Sequence, residues 1–279
     1  MAHYSAVKWM KNHPVASFVI GAYVFAWGCW LYLFISTPPG GMQAGISPLF
    51  LLFALAGGVG PTLIAIVLSR IVEGRGGGRK LLAQFSFTRG GPAWLLVALL
   101  TVPLVSALTI LVQLLMGRHV TGGSILDRLA LGIIWPLFAG LGEEFGWRAF
   151  MLPRLQLRFK ALPAALIVGV TWGCWHLKAD FIGLRSYGWL FVPYFVLAGP
   201  LLLTAHAIIM TWIYNSTRNM AFIVLYHFTI TSSAILLPTL SLNAVENIIN
   251  TAIGVVLFWM VALVIILANG PAKLTRSAQ

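Results

Sequence analysis

Residues 15–35 read VASFVIGAYVFAWGCWLYLFI, an apolar run without a single charged side chain. A helix of about 20 apolar residues is long enough to cross the hydrocarbon core of a membrane. The run is too long for the apolar region of a typical signal peptide, and it ends without an A-x-A-like cleavage site. We therefore predict that it forms a first membrane helix rather than a cleaved leader.

The composition of the whole chain agrees with that prediction. Of 279 residues, 59% are hydrophobic and 9% are charged, and the mean hydropathy is +0.92. A soluble domain carries about 25% charged residues, disordered chains are poor in apolar side chains, and membrane barrel strands alternate apolar and polar residues. These comparisons exclude all three classes. They predict an all-α, polytopic transmembrane helix bundle that forms one integral membrane domain over residues 1–279.

Together with the first run, further apolar runs predict about eight membrane spans. They lie near residues 15–36, 48–70, 92–116, 128–150, 161–177, 188–213, 219–238 and 247–268.

The basic residues set the expected orientation. If the spans alternate, 14 of the 18 Lys and Arg residues fall on the side of the N-terminus, Arg89 and Arg276 among them. The other side keeps Arg118, Arg128, Lys178 and Arg185. Because positive charge collects on the cytoplasmic side, the pattern predicts that both termini are cytoplasmic. The net charge of +12 therefore reflects membrane orientation, and we expect no nucleic-acid partner.

Two adjacent carboxylates interrupt the fourth apolar run, in the stretch WPLFAGLGEEFGWR over residues 135–148. A carboxylate at membrane depth costs several kcal/mol unless it is paired, protonated or in contact with water. Neighbouring helical residues point about 100° apart, so Glu143 and Glu144 should have different roles. Glu144 can pair with Arg148 at i, i+4, which leaves Glu143 as a candidate general base or acid. The alternative is an ion pair at a helix end near the interface.

Two histidines also lie in apolar runs, His176 and His227. Either one alone is most simply a hydrogen-bonded core residue. Together with Glu143 on a third helix, they could hold and deprotonate a water molecule, with or without a metal. His206 is a weaker candidate, better explained as a buried polar contact. The chain has no H-E-x-x-H helix and no G-x-S-x-G turn, and its two cysteines lack metal-ligand spacing.

Three motifs in chain order resemble those of a known family. Glu143-Glu144-Phe-Gly-Trp-Arg148 fits an E-E-x-x-x-R motif, Trp172-x-x-x-His176 stands where F-x-x-x-H is usual, and His227-x-x-x-Thr231 stands where H-x-x-x-N is usual. The chain thus resembles the CPBP (CAAX protease and bacteriocin-processing, or Abi) family of intramembrane endopeptidases, which includes the type II CAAX prenyl endopeptidases. The resemblance covers about residues 125–240, the expected catalytic core.

The resemblance implies a role for each matched residue. Glu143 would be the general base that activates water, and Glu144 with Arg148 would support it. His176 would share the water or bind a metal, and His227 would stabilise the tetrahedral oxyanion or act as a second ligand.

The chain departs from the family pattern at two positions. Trp172 in place of Phe is expected only to reshape the cavity wall. Thr231 in place of Asn loses an amide donor, although its hydroxyl can still donate one hydrogen bond. Because a lost oxyanion donor can lower the rate by about 10²–10³, this position bears on activity and on substrate preference. Ser232 and Asn215 are the alternative donors.

The residues leave the cofactor open between none and a divalent metal such as zinc. Glu143, His176 and His227 could bind zinc with water as the fourth ligand, in which case Glu144 would have to serve as the base. The metal-free arrangement is favoured because Glu144 is expected to be committed to Arg148. No other carboxylate is evident to orient an imidazole, as metal sites usually require.

The expected function is hydrolysis of peptide bonds in membrane-associated or lipid-modified substrates. The expected partners are the lipid bilayer and a peptide or protein substrate. The expected location is a bacterial or archaeal plasma membrane, with the active site toward the cytoplasmic leaflet. The alternatives are a non-catalytic membrane protein of the same fold, acting in bacteriocin immunity or signalling, and a transporter. The transporter would favour repeated halves, which the sequence does not show.

Overall fold

A computed structural model describes residues 2–37, 47–86, 91–121, 124–240 and 242–275 of the chain. Arg89 and Arg276, which enter the charge argument above, lie outside these residues. The described residues are helical almost throughout, which confirms the all-α prediction. The α-helices are α1 (Ala2–Asn12), α2 (Pro14–Ser36), α3 (Pro48–Glu73), α4 (Gly77–Leu82), α5 (Pro92–Leu115), α6 (Ile125–Glu144), α7 (Leu152–Gln156), α8 (Ala161–Trp175), α9 (Leu177–Leu184), α10 (Phe191–Val196), α11 (Leu202–Thr217), α12 (Met220–Leu236) and α13 (Ala244–Asn269).

Shorter elements connect these helices. Two π-helical turns lie at Phe145–Met151 and Leu197–Leu201, and a 3₁₀ turn lies at Arg185–Leu190. Two short strands, β1 (Val120–Thr121) and β2 (Thr239–Leu240), pair antiparallel and join the connections before α6 and after α12.

Membrane-spanning segments account for most of the described chain. By length and composition, six helical segments within it can cross a membrane: Pro14–Ser36, Pro48–Glu73, Pro92–Leu115, Ile125–Gln156, Ala161–Thr217 and Ala244–Asn269. Met220–Leu236 is a shorter apolar helix.

One of those segments is much longer than a single crossing requires. Ala161–Thr217 has 57 residues, whereas about 20 helical residues cross the hydrocarbon core. With 57 residues, the segment is long enough for two crossings. Its backbone leaves helical geometry at Gly188, where φ is 57°. The total of eight spans and the orientation of the termini stay predictions.

The sequence marks where several helices begin. Proline occupies the first helical turn of α2, α3 and α5, where its missing N–H leaves no hydrogen bond unmade. Asn243 and Glu246 form a reciprocal capping box at the start of α13, which satisfies two backbone N–H groups that have no partner within the helix.

The two adjacent carboxylates end α6, and the chain then widens into a π-helical turn. The seven residues of this turn, Phe145–Met151, are all buried. Such turns are rare and occur frequently at functional sites. Arg148 belongs to this turn, and its side chain is fully enclosed by protein.

Glycines allow the segment that carries these carboxylates to lie directly against α3. A Cβ atom at Gly142 would lie 2.9 Å from the carbonyl oxygen of Gly58, and one at Gly146 would lie 2.7 Å from that of Pro61. Small residues four apart permit this backbone contact between membrane helices. The contact fixes the depth and rotation of Glu143, which lies between the two glycines.

Candidate active site

Three of the side chains singled out in the sequence converge in the structure. Glu143 is in the last turn of α6, His176 joins α8 to α9, and His227 lies in the middle of α12. The Nε2 atom of His176 is 3.9 Å from Oε2 of Glu143, and Nε2 of His227 is 4.0 Å from Oε1 of Glu143. The carboxylate therefore lies between two imidazoles.

The spacing of these atoms leaves room for one small molecule. Distances of 3.9 and 4.0 Å are too long for direct hydrogen bonds,. A water molecule about 2.8 Å from a carboxylate oxygen and from the facing nitrogen fits either gap. The side chain of His176 is 23% exposed, whereas Glu143 is 6% exposed. A water on the His176 side is therefore the more accessible one.

Glu144 binds two partners with one carboxylate. Both of its oxygens accept hydrogen bonds from Nη1 of Arg148, at 2.8 and 2.9 Å, and the two side chains are completely buried. Its Oε1 atom also lies 2.6 Å from Nδ1 of His227. The carboxylate accepts at this contact, so Nδ1 carries the proton and Nε2 is left to face Glu143.

This contact makes one sequence-based expectation wrong. Glu144 was expected to be committed to Arg148, so that no carboxylate would orient an imidazole. A carboxylate has about four lone-pair sites, and Glu144 uses them for Arg148 and for His227 together.

Trp172 also differs from its expected role. Its Nε1 atom donates a hydrogen bond of 2.7 Å to Oε2 of Glu143, and its ring lies against the guanidinium of Arg148, whose Cζ is 4.0 Å from the ring centroid. The expectation that it only reshapes the wall is therefore wrong. Phenylalanine has no such donor, so this hydrogen bond depends on the indole.

The three alternative donors differ in what they contact. Thr231 lines the same cavity as Glu143, His176 and His227. Ser232 donates to the carbonyl oxygen of Gly132 at 2.6 Å, and Asn215 donates to that of Lys273 at 2.8 Å. Both are engaged elsewhere, which leaves the Thr231 hydroxyl as the candidate donor.

His206 is a buried polar contact, as expected from the sequence. Its Nδ1 atom lies 2.9 Å from the hydroxyl of Tyr226, and both side chains are buried.

The cluster of Glu143, His176 and His227 lines a cavity of about 550 Å³. Aromatic and aliphatic side chains form most of its wall, among them Trp30, Leu33, Phe50, Trp135, Phe138, Trp175, Tyr194 and Ile230. The cavity extends toward the end of the bundle where α2 ends and α3 begins. Such a mostly apolar cleft with a few convergent polar groups is typical of a ligand-binding site.

Comparison with known proteins agrees with this geometry. Residues 125–233 match the protein-family model described as type II CAAX prenyl endopeptidase Rce1-like. This segment is similar to the proteins of that family. The family resemblance drawn from the three motifs is thereby confirmed, and every candidate residue from Glu143 to Thr231 lies within the matched segment.

A curated relative also matches part of the chain. Over 103 residues the chain is 27% identical to a protein of Methanococcus maripaludis named CAAX prenyl protease 2. The match covers 34% of this chain and 36% of the relative. The chain thus spans about a third of the length of the relative that it matches.

The fit of the cluster to a metal ion depends on the donor spacing. Two imidazoles and a carboxylate are suitable zinc ligands, and Glu144 stands behind His227 as an outer carboxylate. Ligand atoms around tetrahedral zinc lie about 3.4 Å apart, whereas the facing atoms here are 3.9 and 4.0 Å apart. Within the described ranges, no three His, Cys, Asp or Glu residues are grouped to hold a metal ion. The side chains as placed do not fit zinc.

The hydrogen bond from Trp172 leads to a prediction. We expect Trp172→Phe to lower kcat by roughly 10- to 100-fold, because Glu143 loses the donor that holds its carboxylate in place and a misplaced catalytic group can cost about 10²-fold in rate. KM should stay nearly constant, because the wall keeps an aromatic ring. Steady-state cleavage kinetics measure both. Trp212→Phe is the matched control, since the Trp212 indole donates to Asn269 at 3.1 Å, away from the cluster. An unchanged kcat in Trp172→Phe would contradict the assigned role.

The direction of the cavity bears on the predicted orientation. It extends toward the end of the bundle that carries Lys178 and Arg185, which the charge argument places outside the cytoplasm. If the substrate enters through this end of the cavity and both termini are cytoplasmic, the substrate enters from the outer side. The prediction of cytoplasmic termini and the prediction of access from the cytoplasmic leaflet would then be incompatible. Both are predictions, and the topology of the chain in a cell decides between them.

Single cysteines test the orientation. In a background lacking Cys29 and Cys174, we expect a cysteine at Arg79 to be shielded from impermeant thiol reagents in intact cells. A cysteine at Gln43 (which lies outside the described residues) should be labelled, because the charge pattern places it on the outer side. Labelling at Arg79 with protection at Gln43 would reverse the orientation and place the cavity on the cytoplasmic side.

Proposed function

We propose that this protein is an intramembrane endopeptidase that hydrolyses peptide bonds of membrane-associated or lipid-modified substrates. One observation carries the proposal: Glu143 lies between two imidazoles at the base of an apolar cavity within a helical membrane protein. The match to the Rce1-like family and the similarity to the archaeal protein named CAAX prenyl protease 2 support it.

In the proposed reaction, Glu143 is the general base. A water molecule between Glu143 and His176 gives one proton to the carboxylate, and its oxygen attacks the carbonyl carbon of the peptide. The protonated Glu143 then returns the proton to the leaving amine as the tetrahedral intermediate collapses. Proton transfer by a positioned side chain accelerates such steps by about 10²–10⁴-fold.

The tetrahedral intermediate needs donors for its oxyanion. His227 can donate from Nε2 in its imidazolium form, and the Glu144 carboxylate at Nδ1 compensates that charge. The Thr231 hydroxyl, one helical turn further along α12, adds a second donor. Preorganised donors of this kind are frequently the largest single contribution to acyl-transfer catalysis.

We add two broader proposals. The whole chain would act as one membrane domain around a catalytic core at about residues 125–240. Its location would be a bacterial or archaeal plasma membrane.

Cleavage by the purified protein tests the proposal. Detergent-solubilised protein should cleave a prenylated peptide with a CAAX-type terminus at one bond, as identified by mass spectrometry. The same peptide without its lipid measures whether the modification is required. Absence of cleavage of either peptide, and of a panel of membrane-associated peptides, would sink the assignment.

Thr231 is the observation that favours the second candidate function, a non-catalytic membrane protein of the same fold in bacteriocin immunity or signalling. The same assay separates the two functions. If Thr231→Asn cleaves and the wild-type protein does not, the fold is competent and this chain is the non-catalytic form.

Chelation tests the metal-free reaction. We expect chelator-washed protein to keep its peptidase activity and to contain far less than one equivalent of zinc by elemental analysis. The reason is the spacing of the facing donor atoms, which is too wide for a tetrahedral ion. Near-stoichiometric zinc that is lost in His176→Ala, with zinc restoring activity to stripped wild-type protein, would refute this choice.

A further inference from the structure

A third carboxylate lies on the wall of the catalytic cavity. Asp180 is in α9, one helical turn after His176, and its backbone N–H donates to the carbonyl oxygen of His176 at 2.9 Å. Asp180 belongs to none of the three sequence motifs. Its i, i+4 spacing from His176 is the signal that could have drawn attention to it, because residues four apart share a helix face.

The carboxylate of Asp180 makes no direct pair within the described chain, and the imidazole of His176, one helical turn earlier, is the titratable neighbour that acts on its charge. Among the described residues, none forms a hydrogen bond or an ion pair with its carboxylate. The two nearest basic residues in sequence are engaged otherwise: Lys178 donates to the carbonyl oxygen of Trp27 at 3.0 Å, and Arg185 donates to that of Thr37. A carboxylate in an apolar cavity is costly unless a cation or a hydrogen-bond donor meets it.

Apart from the imidazoles of His176 and His227, the described lining of the cavity offers no side chain that can carry a positive charge. Its described lining contains the carboxylates of Glu143 and Asp180 but no Lys or Arg. Outside the described part, the sequence has only two charged side chains, Arg89 and Arg276. In a chain of net charge +12, the cavity is therefore a locally acidic site. Its aromatic walls suit the methylene stem and the charged head of a basic side chain.

From this arrangement we propose that Asp180 binds a Lys or Arg side chain of the substrate close to the cleaved bond. The inference rests on the proposed function and adds a substrate class to it. One helical turn, about 5.4 Å along the axis, separates Asp180 from His176, and an extended peptide advances about 3.3–3.6 Å per residue. The basic residue therefore lies within about two positions of the bond that is cleaved.

Peptide binding tests the inference without requiring turnover. Fluorescent peptides that carry lysine or neutral norleucine at each of these positions are titrated into Glu143→Gln protein in detergent. At one position we expect lysine to bind about tenfold more tightly, as truncating one partner of a buried charge pair costs at least that much. Adding Asp180→Asn should abolish the preference, and Asp180→Lys should reverse it toward a glutamate peptide. Asp127→Asn is the matched control, because Asp127 is exposed at the start of α6.

The outcomes separate this inference from the proposed function. A lysine preference that disappears in Asp180→Asn, in a wild-type protein that cleaves nothing, would support the site and refute the peptidase. No preference at any position, no binding, or a preference that survives Asp180→Asn would overturn the inference. So would an equal fall in wild-type cleavage of lysine and norleucine peptides after Asp180→Asn, since that result means that Asp180 only positions His176.

Discussion

Glu143→Gln protein should bind its peptide substrate and fail to cleave it, with kcat lowered by about 10²–10⁴-fold or more. The amide has the size of the carboxylate, and its oxygen can still accept the hydrogen bond from Trp172. It cannot take a proton from water at neutral pH. The proposed loss is therefore one of chemistry and not of folding, so the variant should insert into the membrane and stay monodisperse in detergent.

His176→Ala should lose activity in the same way. Its side chain is the most exposed of the three and lines the cavity, so its removal leaves little empty space in the core. Glu73→Gln provides the matched control, because Glu73 is a partly exposed carboxylate paired with Arg154 at the bundle surface. Full turnover by purified Glu143→Gln would remove Glu143 from the mechanism. Loss of a cellular phenotype alone would not establish proteolysis.

Local spacing made part of the site predictable. The i, i+4 rule placed Glu144 against Arg148, and the 100° step between neighbours gave Glu143 a different environment. Both follow from helix geometry within a few residues. The scarcity of ionisable residues in apolar runs then singled out His176 and His227.

The contacts between distant helices were not predictable in the same way. His227 meets Glu144 across 83 residues of sequence, and Trp172 meets Glu143 across 29. Which face of a membrane helix turns inward is weakly encoded when the helix is apolar on all sides, as α8 and α12 nearly are. The glycine contact with α3 sets the rotation of α6, and a Cβ atom at Gly140 would lie 2.9 Å from the carbonyl oxygen of Val224, which brings α6 directly against α12.

The largest stability effect should come from Arg148→Ala. Removing the guanidinium leaves Glu144 charged and fully enclosed, and breaking one partner of a buried pair costs about 3–5 kcal/mol. Folded yield and the thermal midpoint in detergent should both fall, and activity should fall with them. Arg154→Ala is the matched control, because the Arg154–Glu73 pair is partly exposed, at 16% and 38%. Such a pair contributes about 0–1 kcal/mol.

A double variant separates the two tasks of Glu144. In Arg148→Met with Glu144→Gln, neither member of the ion pair is charged, so the thermal midpoint should recover much of what Arg148→Ala loses. Activity should not recover, because His227 Nδ1 then faces an amide in place of the carboxylate that orients it and compensates its charge. If Arg148→Ala instead keeps the wild-type thermal midpoint while activity vanishes, the guanidinium takes part in the chemistry. Glu144 would then orient His227, but its ion pair with Arg148 would not contribute to the stability of the bundle.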